Sequence, residues 1–353
     1  MKKIVFVGGG TLGHIYPMIP VVKRLIGKYE LYFIGTTNGL EKTLIEKLKY
    51  FNKTYYLDMQ GFRRSLSLYN IKTIIKYIKC KKASSEVLKE INPDIVIGMG
   101  GYISGVVIKS AIKQKIKTII NEQNSVMGLA NLMNYKKVDK VLLSVPLNKQ
   151  FNKKNMVLVG NPRISDIYEQ NVIKKEERKL IVIVGGSRGS KFINDTVLKS
   201  IDDFIKLKYQ LVLITGKKYY DDNKEIISSI KNDNITIIGF TDKLIDYLKK
   251  ARVVVSRSGA TTIAEIMALR KVTLFIPSPN VTSNHQEKNA DILVNNNCAY
   301  KILEKNLTPK VLIEKINKLE SDEDLRVNMI NNMIKISNYK AVYSFIDQIE
   351  SLL

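Results

Sequence analysis

Cysteine, histidine, acidic residues and long apolar runs are all scarce in this chain, and each scarcity narrows its chemistry. Of 353 residues two are cysteine, Cys80 and Cys298, with no metal-ligand spacing around either. That leaves no disulfide framework to read and fits a reducing, cytosolic compartment. No stretch approaches the ~18 apolar residues of a membrane-spanning helix. The lysines ahead of "IVFV" imitate a signal peptide, but four apolar residues fall far short of its apolar segment. The chain therefore reads as soluble or peripheral. Histidine occurs twice, as His14 and His285, so catalysis by an imidazole has two candidates. Acids are outnumbered, 33 against 57 Lys and Arg, for a formal charge of +24. Such an excess attracts polyanions, although drift in a chain rich in Lys, Ile and Asn produces it equally well. With no DNA-binding motif and no aromatic-rich basic strand pair, nucleic acid is not the partner expected.

What is present is a regular alternation of elements. The runs "IVFV", "ELYFIG", "TYYLD", "DIVIGMG", "KTIINE" and "KVLLSV" read as strands, with amphipathic stretches between most of them. A polar, charged segment follows from Gly160, and residues 161–178 read as a linker. Alternation then resumes with "LIVIVGG", "YQLVLITG", "NITIIGF", "ARVVVSRSG" and "VTLFIP". Right-handed βαβ units of this kind build parallel sheets. The length suits two domains, and both halves begin with an apolar strand running into glycines. The fold predicted is α/β: two Rossmann-like, doubly wound parallel-sheet domains facing across a cleft. Ligands then bind at the carboxyl ends of the strands.

Three glycine turns mark those ends. Gly8 to Gly13 satisfies G-x-G-x-x-G. A dinucleotide site also wants an acid closing the second strand, where "LYFIGTTNG" offers glycines and threonines. Gly185-Gly186-Ser187-Arg188-Gly189 matches the nucleophile elbow G-x-S-x-G. A hydrolase would leave the first turn idle, and nothing selects a triad acid. A phosphate-binding helix N-terminus is the plainer reading. The third turn, "GMGGYISG", brings Gly101 and Tyr102. Further on, "SRSGATTIAE" places Glu265 on the opening turns of a helix, where a carboxylate can accept two hydrogen bonds from a ribose diol. "NHQEKNA" supplies His285, Gln286 and Asn289, suited to sugar hydroxyls.

In order along nearly the whole chain stand "GGGTLGHIYP", "GMGGYISG", "NEQNSVMGLAN", "VGNPR", "GGSRGS", "SRSGATTIAE" and "NHQEKNA". Together they closely resemble the MurG family of bacterial peptidoglycan glycosyltransferases. The resemblance implies a GT-B fold with an acceptor domain over residues 1–160 and a donor domain over 161–338. A C-terminal helix, 339–353, would return to the first domain. It implies an inverting transfer of N-acetylglucosamine from UDP-N-acetylglucosamine to undecaprenyl-diphosphate-linked muramyl pentapeptide, without a cofactor or metal, at the cytoplasmic face of the membrane. By matched motif, Glu265 binds the ribose, Thr241 and its neighbour Phe240 the uracil, and Ser187 and Arg163 the diphosphate. Gln286, His285 and Asn124 touch the sugar, and Thr11 and Gly13 belong with the donor set. Gly9, Gly10, Gly101 and Tyr102 face the acceptor and its diphosphate, with His14 as the base. An imidazole of ordinary pKa ~6.5 is largely neutral in the cytosol.

Some positions depart from the family pattern. Leu12 replaces a glycine of "TGGH", Asn121 the histidine of "HEQN", Arg188 a glutamine and Val106 a proline. A nucleotide-sugar-binding protein without catalysis remains the other class to consider. It would keep Glu265 and tolerate loss of His14.

The segment "NIKTIIKYIKCKK" puts Ile71, Ile74, Ile75 and Ile78 on one helical face, with Lys72 and Lys76 beside them and Phe62, Arg63 and Arg64 before it. Pattern alone favours a helix packing its isoleucines into the core. The resemblance favours an anionic membrane surface as their partner.

Overall fold

The computed structural model describes residues 1–61, 68–148, 151, 154–170, 179–186 and 189–353. By its internal contacts the chain divides into two compact units, Met1–Asp166 with Asn338–Leu353, and Ile167–Ser337.

The first unit holds β1 (Lys3–Gly8), β2 (Glu30–Thr36), β3 (Lys53–Leu57), β4 (Ile95–Gly100), β5 (Lys117–Glu122), β6 (Lys140–Leu143) and β7 (Met156–Leu158). All pair in parallel, in the order β3-β2-β1-β4-β5-β6-β7. The inner strands are apolar on both faces because helices cover both. Ile4, Phe6, Phe33 and Ile97 point into one core, while Val5, Val7, Val96 and Ile120 point into the other. Truncating a fully buried Phe6 to alanine costs about 3–5 kcal/mol. The chain's last helix, Ala341–Glu350, closes the first of these cores with Val342, Phe345 and Ile349 and packs on the helix Met18–Leu25. It is held further by Val342 N–H donating to Ser165 Oγ (3.1 Å) and by Asn338 Nδ2 donating to Val159 O (2.8 Å).

The second unit repeats the plan with β8 (Leu180–Val184), β9 (Gln210–Ile214), β10 (Ile235–Ile238), β11 (Val253–Ser256), β12 (Thr273–Phe275) and β13 (Tyr300–Lys301). Their order is β10-β9-β8-β11-β12-β13, again all parallel. In each sheet the winding direction reverses beside the first strand, between β1 and β4 and between β8 and β11. Loops diverge there and leave a crevice at the strands' carboxyl ends.

Residues 161–178 are not simply a linker, since the helix Pro162–Gln170 occupies the first half of the segment. Residues 171–178 lie outside the described part. "DED" at 322–324 serves helix capping: Asp322 accepts from Leu325 N–H at 2.9 Å at the start of the helix Glu323–Ile336.

Candidate functional site

The glycine turns stand at the two reversal points, and each builds a different environment. In the first unit, β1 runs into Gly9-Gly10 and a single 3-10 turn, Leu12–His14, before the helix Met18–Leu25 begins after Pro17. His14 thus sits ahead of the α-helix, folded back over β1. Its Nδ1 lies 2.9 Å from the carbonyl of Gly9, with Thr11 Oγ1 at 3.4 Å. A carbonyl only accepts, so Nδ1 must carry the proton and the neutral ring keeps its lone pair on Nε2. The far edge of the ring presses on β4. A Cβ on Gly100 would come within 2.6 Å of His14 Cδ2, and Gly100 also has φ +122°. A side chain at Gly101, φ +84°, would strike the Gly9 carbonyl itself. Gly100 is thus required by the imidazole's position and Gly101 by the Gly9 carbonyl that holds it. Burial pulls the His14 pKa below 6.5, and the Gly9 hydrogen bond and the charges of Glu122 and Glu41 oppose that pull.

Two carboxylates missed at the sequence level organise this turn. Glu41, wholly buried, folds back from the start of the helix Glu41–Leu48. Its Oε1 accepts from Thr36 N–H (2.9 Å) and Thr36 Oγ1 (2.5 Å), and its Oε2 from Gly10 N–H (3.3 Å). No acid ends β2 itself; Glu41, five residues beyond Thr36 on the next helix, folds its carboxylate back onto the strand's end. The Gly10 N–H is therefore already held by a carboxylate within the turn. Glu122, at the end of β5, accepts from Asn124 N–H (3.0 Å), Asn124 Nδ2 (3.3 Å), Gly128 N–H (2.8 Å) and Asn131 Nδ2 (2.9 Å). It fixes the loop that carries Asn124. Tyr102, on the first turn of the helix Gly101–Lys113, is half exposed. Asn121, at the histidine of "HEQN", donates to Leu142 O at 3.2 Å and packs inside the sheet.

Arg163, which the resemblance places at the donor diphosphate, lies in the first unit. Its Nη1 lies 3.0 Å from Asp166 Oδ2 and its guanidinium stacks over Tyr16, 5.4 Å from the ring centre.

In the second unit, β8 opens into Gly185 and Gly186; Ser187 and Arg188 lie outside the described residues. Ser190 then caps the helix Lys191–Leu198, accepting from Ile193 N–H. Arg257, in the loop after β11, brings a guanidinium to this reversal point. It donates to Ser190 Oγ (2.6 Å) and to the carbonyls of Ile276 and Pro277 (3.0 Å each), and pairs with Glu304. Glu265 is buried in the second turn of the helix Ala260–Leu269, not the first, so the terminal helix dipole has little hold on it. Ser258 Oγ donates to Gln286 O (2.7 Å), and Gln286 Oε1 accepts from Ser278 N–H (2.8 Å). His285 Nδ1 lies 2.9 Å from Thr282 O, which only accepts, so Nδ1 donates there. Thr241 Oγ1 accepts from Lys243 N–H at 3.0 Å, and beside it the Phe240 ring is 73 % exposed. A hollow of about 570 Å³ lined by Lys179, Lys208, Arg252 and Arg326 lies at the strands' amino ends, the end opposite these loops. Among the described residues no cluster of His, Cys, Asp and Glu is arranged to hold a metal ion.

The isoleucine stripe departs from the core-packing pattern. Along the helix Leu68–Ile91 the residues turned inward are Thr73, Cys80, Ser84, Leu88 and Ile91. Ile71, Ile74, Ile75 and Ile78 are 55, 50, 50 and 63 % exposed. Phe62, Arg63 and Arg64 lie outside the described residues. No described helix is long and apolar enough to cross a membrane.

Comparison with known proteins accords with this arrangement. Residues 4–143 match the glycosyltransferase family 28 N-terminal domain and residues 180–349 its C-terminal domain. The chain is 39 % identical over 339 residues to the UDP-N-acetylglucosamine--N-acetylmuramyl-(pentapeptide) pyrophosphoryl-undecaprenol N-acetylglucosamine transferase 1 of Bacillus cereus, covering 93 % of each. It belongs to the MurG family of glycosyltransferases. The relative of that name from Bacillus cytotoxicus matches equally, at 39 % identity over 93 % of each chain. The crystal structure of Acinetobacter baumannii MurG superposes with a TM-score of 0.79 over 99 % of this chain and 100 % of that one, at 23 % identity. The MurG architecture is therefore retained across wide sequence divergence.

Proposed function

We propose that this chain moves N-acetylglucosamine from UDP-N-acetylglucosamine to the C4 hydroxyl of a muramyl pentapeptide carried on undecaprenyl diphosphate. The observation that carries the reading is His14: it stands at the first reversal point with Nδ1–H committed to the Gly9 carbonyl, which leaves the lone pair of the neutral ring on Nε2. The acceptor hydroxyl attacks the anomeric carbon, the bond from that carbon to the diphosphate breaks, and UDP leaves with the electron pair. The hydroxyl proton goes to His14 Nε2. In the second unit Gly185, Gly186 and Gly189 and the N-terminus of the helix Lys191–Leu198 meet the charge growing on UDP. Glu265 accepts from the ribose diol, the backbone around Phe240 and Thr241 meets the uracil edge, and Gln286 and His285 hold sugar hydroxyls. Gly101 and Tyr102 line the acceptor side, while Asn124 reaches the donor sugar from the first unit, with Thr11 and Gly13 beside it.

The acceptor's lipid tail calls for a membrane face, and the exposed isoleucines supply one. With Lys72 and Lys76 beside them they support peripheral docking on the anionic cytoplasmic leaflet. The deciding experiment is UDP release from UDP-N-acetylglucosamine with and without a short-chain lipid-linked acceptor. Acceptor-dependent release that disappears in His14→Ala supports the reading; release indifferent to the acceptor overturns it.

A further inference from the structure

The most economical feature of the first turn is a single peptide group. The Gly9 carbonyl that receives His14 Nδ1–H and the Gly10 N–H that Glu41 Oε2 accepts are the two ends of one amide. We propose that Glu41 is a positioning residue for the transfer, acting on His14 through the Gly9–Gly10 peptide, so that carboxylate, amide and imidazole form one hydrogen-bonded chain. The inference rests on the reading of His14 as the base.

Three observations converge on it. Glu41 is 0 % exposed, so its charge is confined to the partners around it. Those partners are the Thr36 amide and hydroxyl and the Gly10 amide; the nearby glycines leave the carboxylate its space, a Cβ on Gly9 coming 2.6 Å from Oε1. The turn is thus shaped around this carboxylate. A charge hydrogen-bonded to an amide N–H polarises the peptide and strengthens its carbonyl as an acceptor. The Gly9 carbonyl then holds Nδ1–H more firmly and favours the imidazolium that forms when Nε2 takes the hydroxyl proton. The logic is that of an acid orienting a catalytic histidine, with a backbone amide between them. The charged groups acting on His14 are Glu41 and Glu122, and both favour its protonated form.

The test uses the full-length protein with labelled histidine, whose two rings are told apart by the signal lost in His14→Ala. The wild-type His14 is expected as the Nδ1–H tautomer. In Glu41→Gln its titration moves to lower pH, the acid limb of kcat/KM moves with it, and kcat falls about 10- to 100-fold, less than loss of the base. The KM for UDP-N-acetylglucosamine stays within about twofold, because that ligand is held elsewhere. Thr36→Val, which removes a hydroxyl but leaves the charge, should not move the titration. An unchanged titration and kcat in Glu41→Gln overturn the proposal while His14→Ala still reports on the base. If Glu41→Gln does not fold, the wild-type ring decides: an Nε2–H tautomer overturns the chain of bonds, and an Nδ1–H tautomer with Glu41→Asp impaired in kcat alone supports it.

Discussion

Arg257 Nη2 donates to Ser190 Oγ at 2.6 Å, tying the loop after β11 to the cap of the helix that begins at the second glycine turn. The same guanidinium reaches the carbonyls of Ile276 and Pro277. One planar fork thus fixes the two loops on either side of the reversal point. A lysine offers a point charge and cannot span these partners. Arg257→Lys is expected to weaken UDP binding about tenfold or more, since hydrogen bonds from a charged donor are worth about 1.5–3 kcal/mol. Calorimetric titration with UDP checks it, and wild-type affinity would show that the loops hold their places without the fork.

Glu265 gives a sharper reading of the donor. Glu265→Gln keeps the volume of a buried side chain but removes the charge and half of its accepting capacity. UDP affinity should fall about 10- to 100-fold, while a ligand lacking the ribose diol, such as a 2′,3′-dideoxy analogue, should lose little. Equal losses for both ligands would place Glu265 away from the ribose.

The parts of the fold that could be read in advance are those set by local chemistry. Runs such as "IVFV" and "LIVIV" are long and apolar enough to declare buried parallel strands, and their glycines mark where each sheet's loops diverge. β7 and β13 went unread because three and two residues carry no periodicity, and only pairing with β6 and β12 makes them strands. Glu41 escaped because its role depends on a fold-back to Thr36 and Gly10 that spacing does not encode. The isoleucine stripe shows a similar limit. Helical period marks a coherent face but cannot say whether that face turns inward, and here Thr73, Cys80 and Ser84 take the inner side.

His14 predicts a pH dependence of known sign. Its folded pKa lies below 6.5, chiefly through burial. Between the folded value and 6.5 the unfolded chain takes up a proton that the folded chain refuses, so this contribution to stability is full above 6.5 and falls as the pH is lowered through that window. A base must be neutral to act, so activity should persist somewhat below 6.5 before its acid limb. His14→Ala should lower kcat by roughly 10²–10⁴ with UDP affinity nearly intact, and its stability should lose this pH dependence. Thermal melts and kcat profiles across the acid range check both; near-normal turnover in the folded variant would remove His14 from the chemistry.

The exposed face of the helix Leu68–Ile91 allows a membrane test that does not depend on unfolding. Because Ile74 is half exposed, Ile74→Glu removes little burial, and its stability should stay within about 0.5 kcal/mol of wild type. On vesicles rich in anionic lipid the same change places a charge in the interface and should abolish most binding. Lys72 and Lys76 add attraction of about 1 kcal/mol each near a charged surface, so reversing both should weaken binding by one to two orders of magnitude at low salt and less at high salt. Lys76 also pairs with Asp58 at 2.7 Å, so Lys72→Glu alone is the cleaner electrostatic probe. Activity on a water-soluble acceptor should survive the lysine changes, which lie away from the glycine turn in the chain. Co-sedimentation with vesicles of graded anionic content reads all of this. Wild-type binding by Ile74→Glu and Lys72→Glu together would assign docking to another surface.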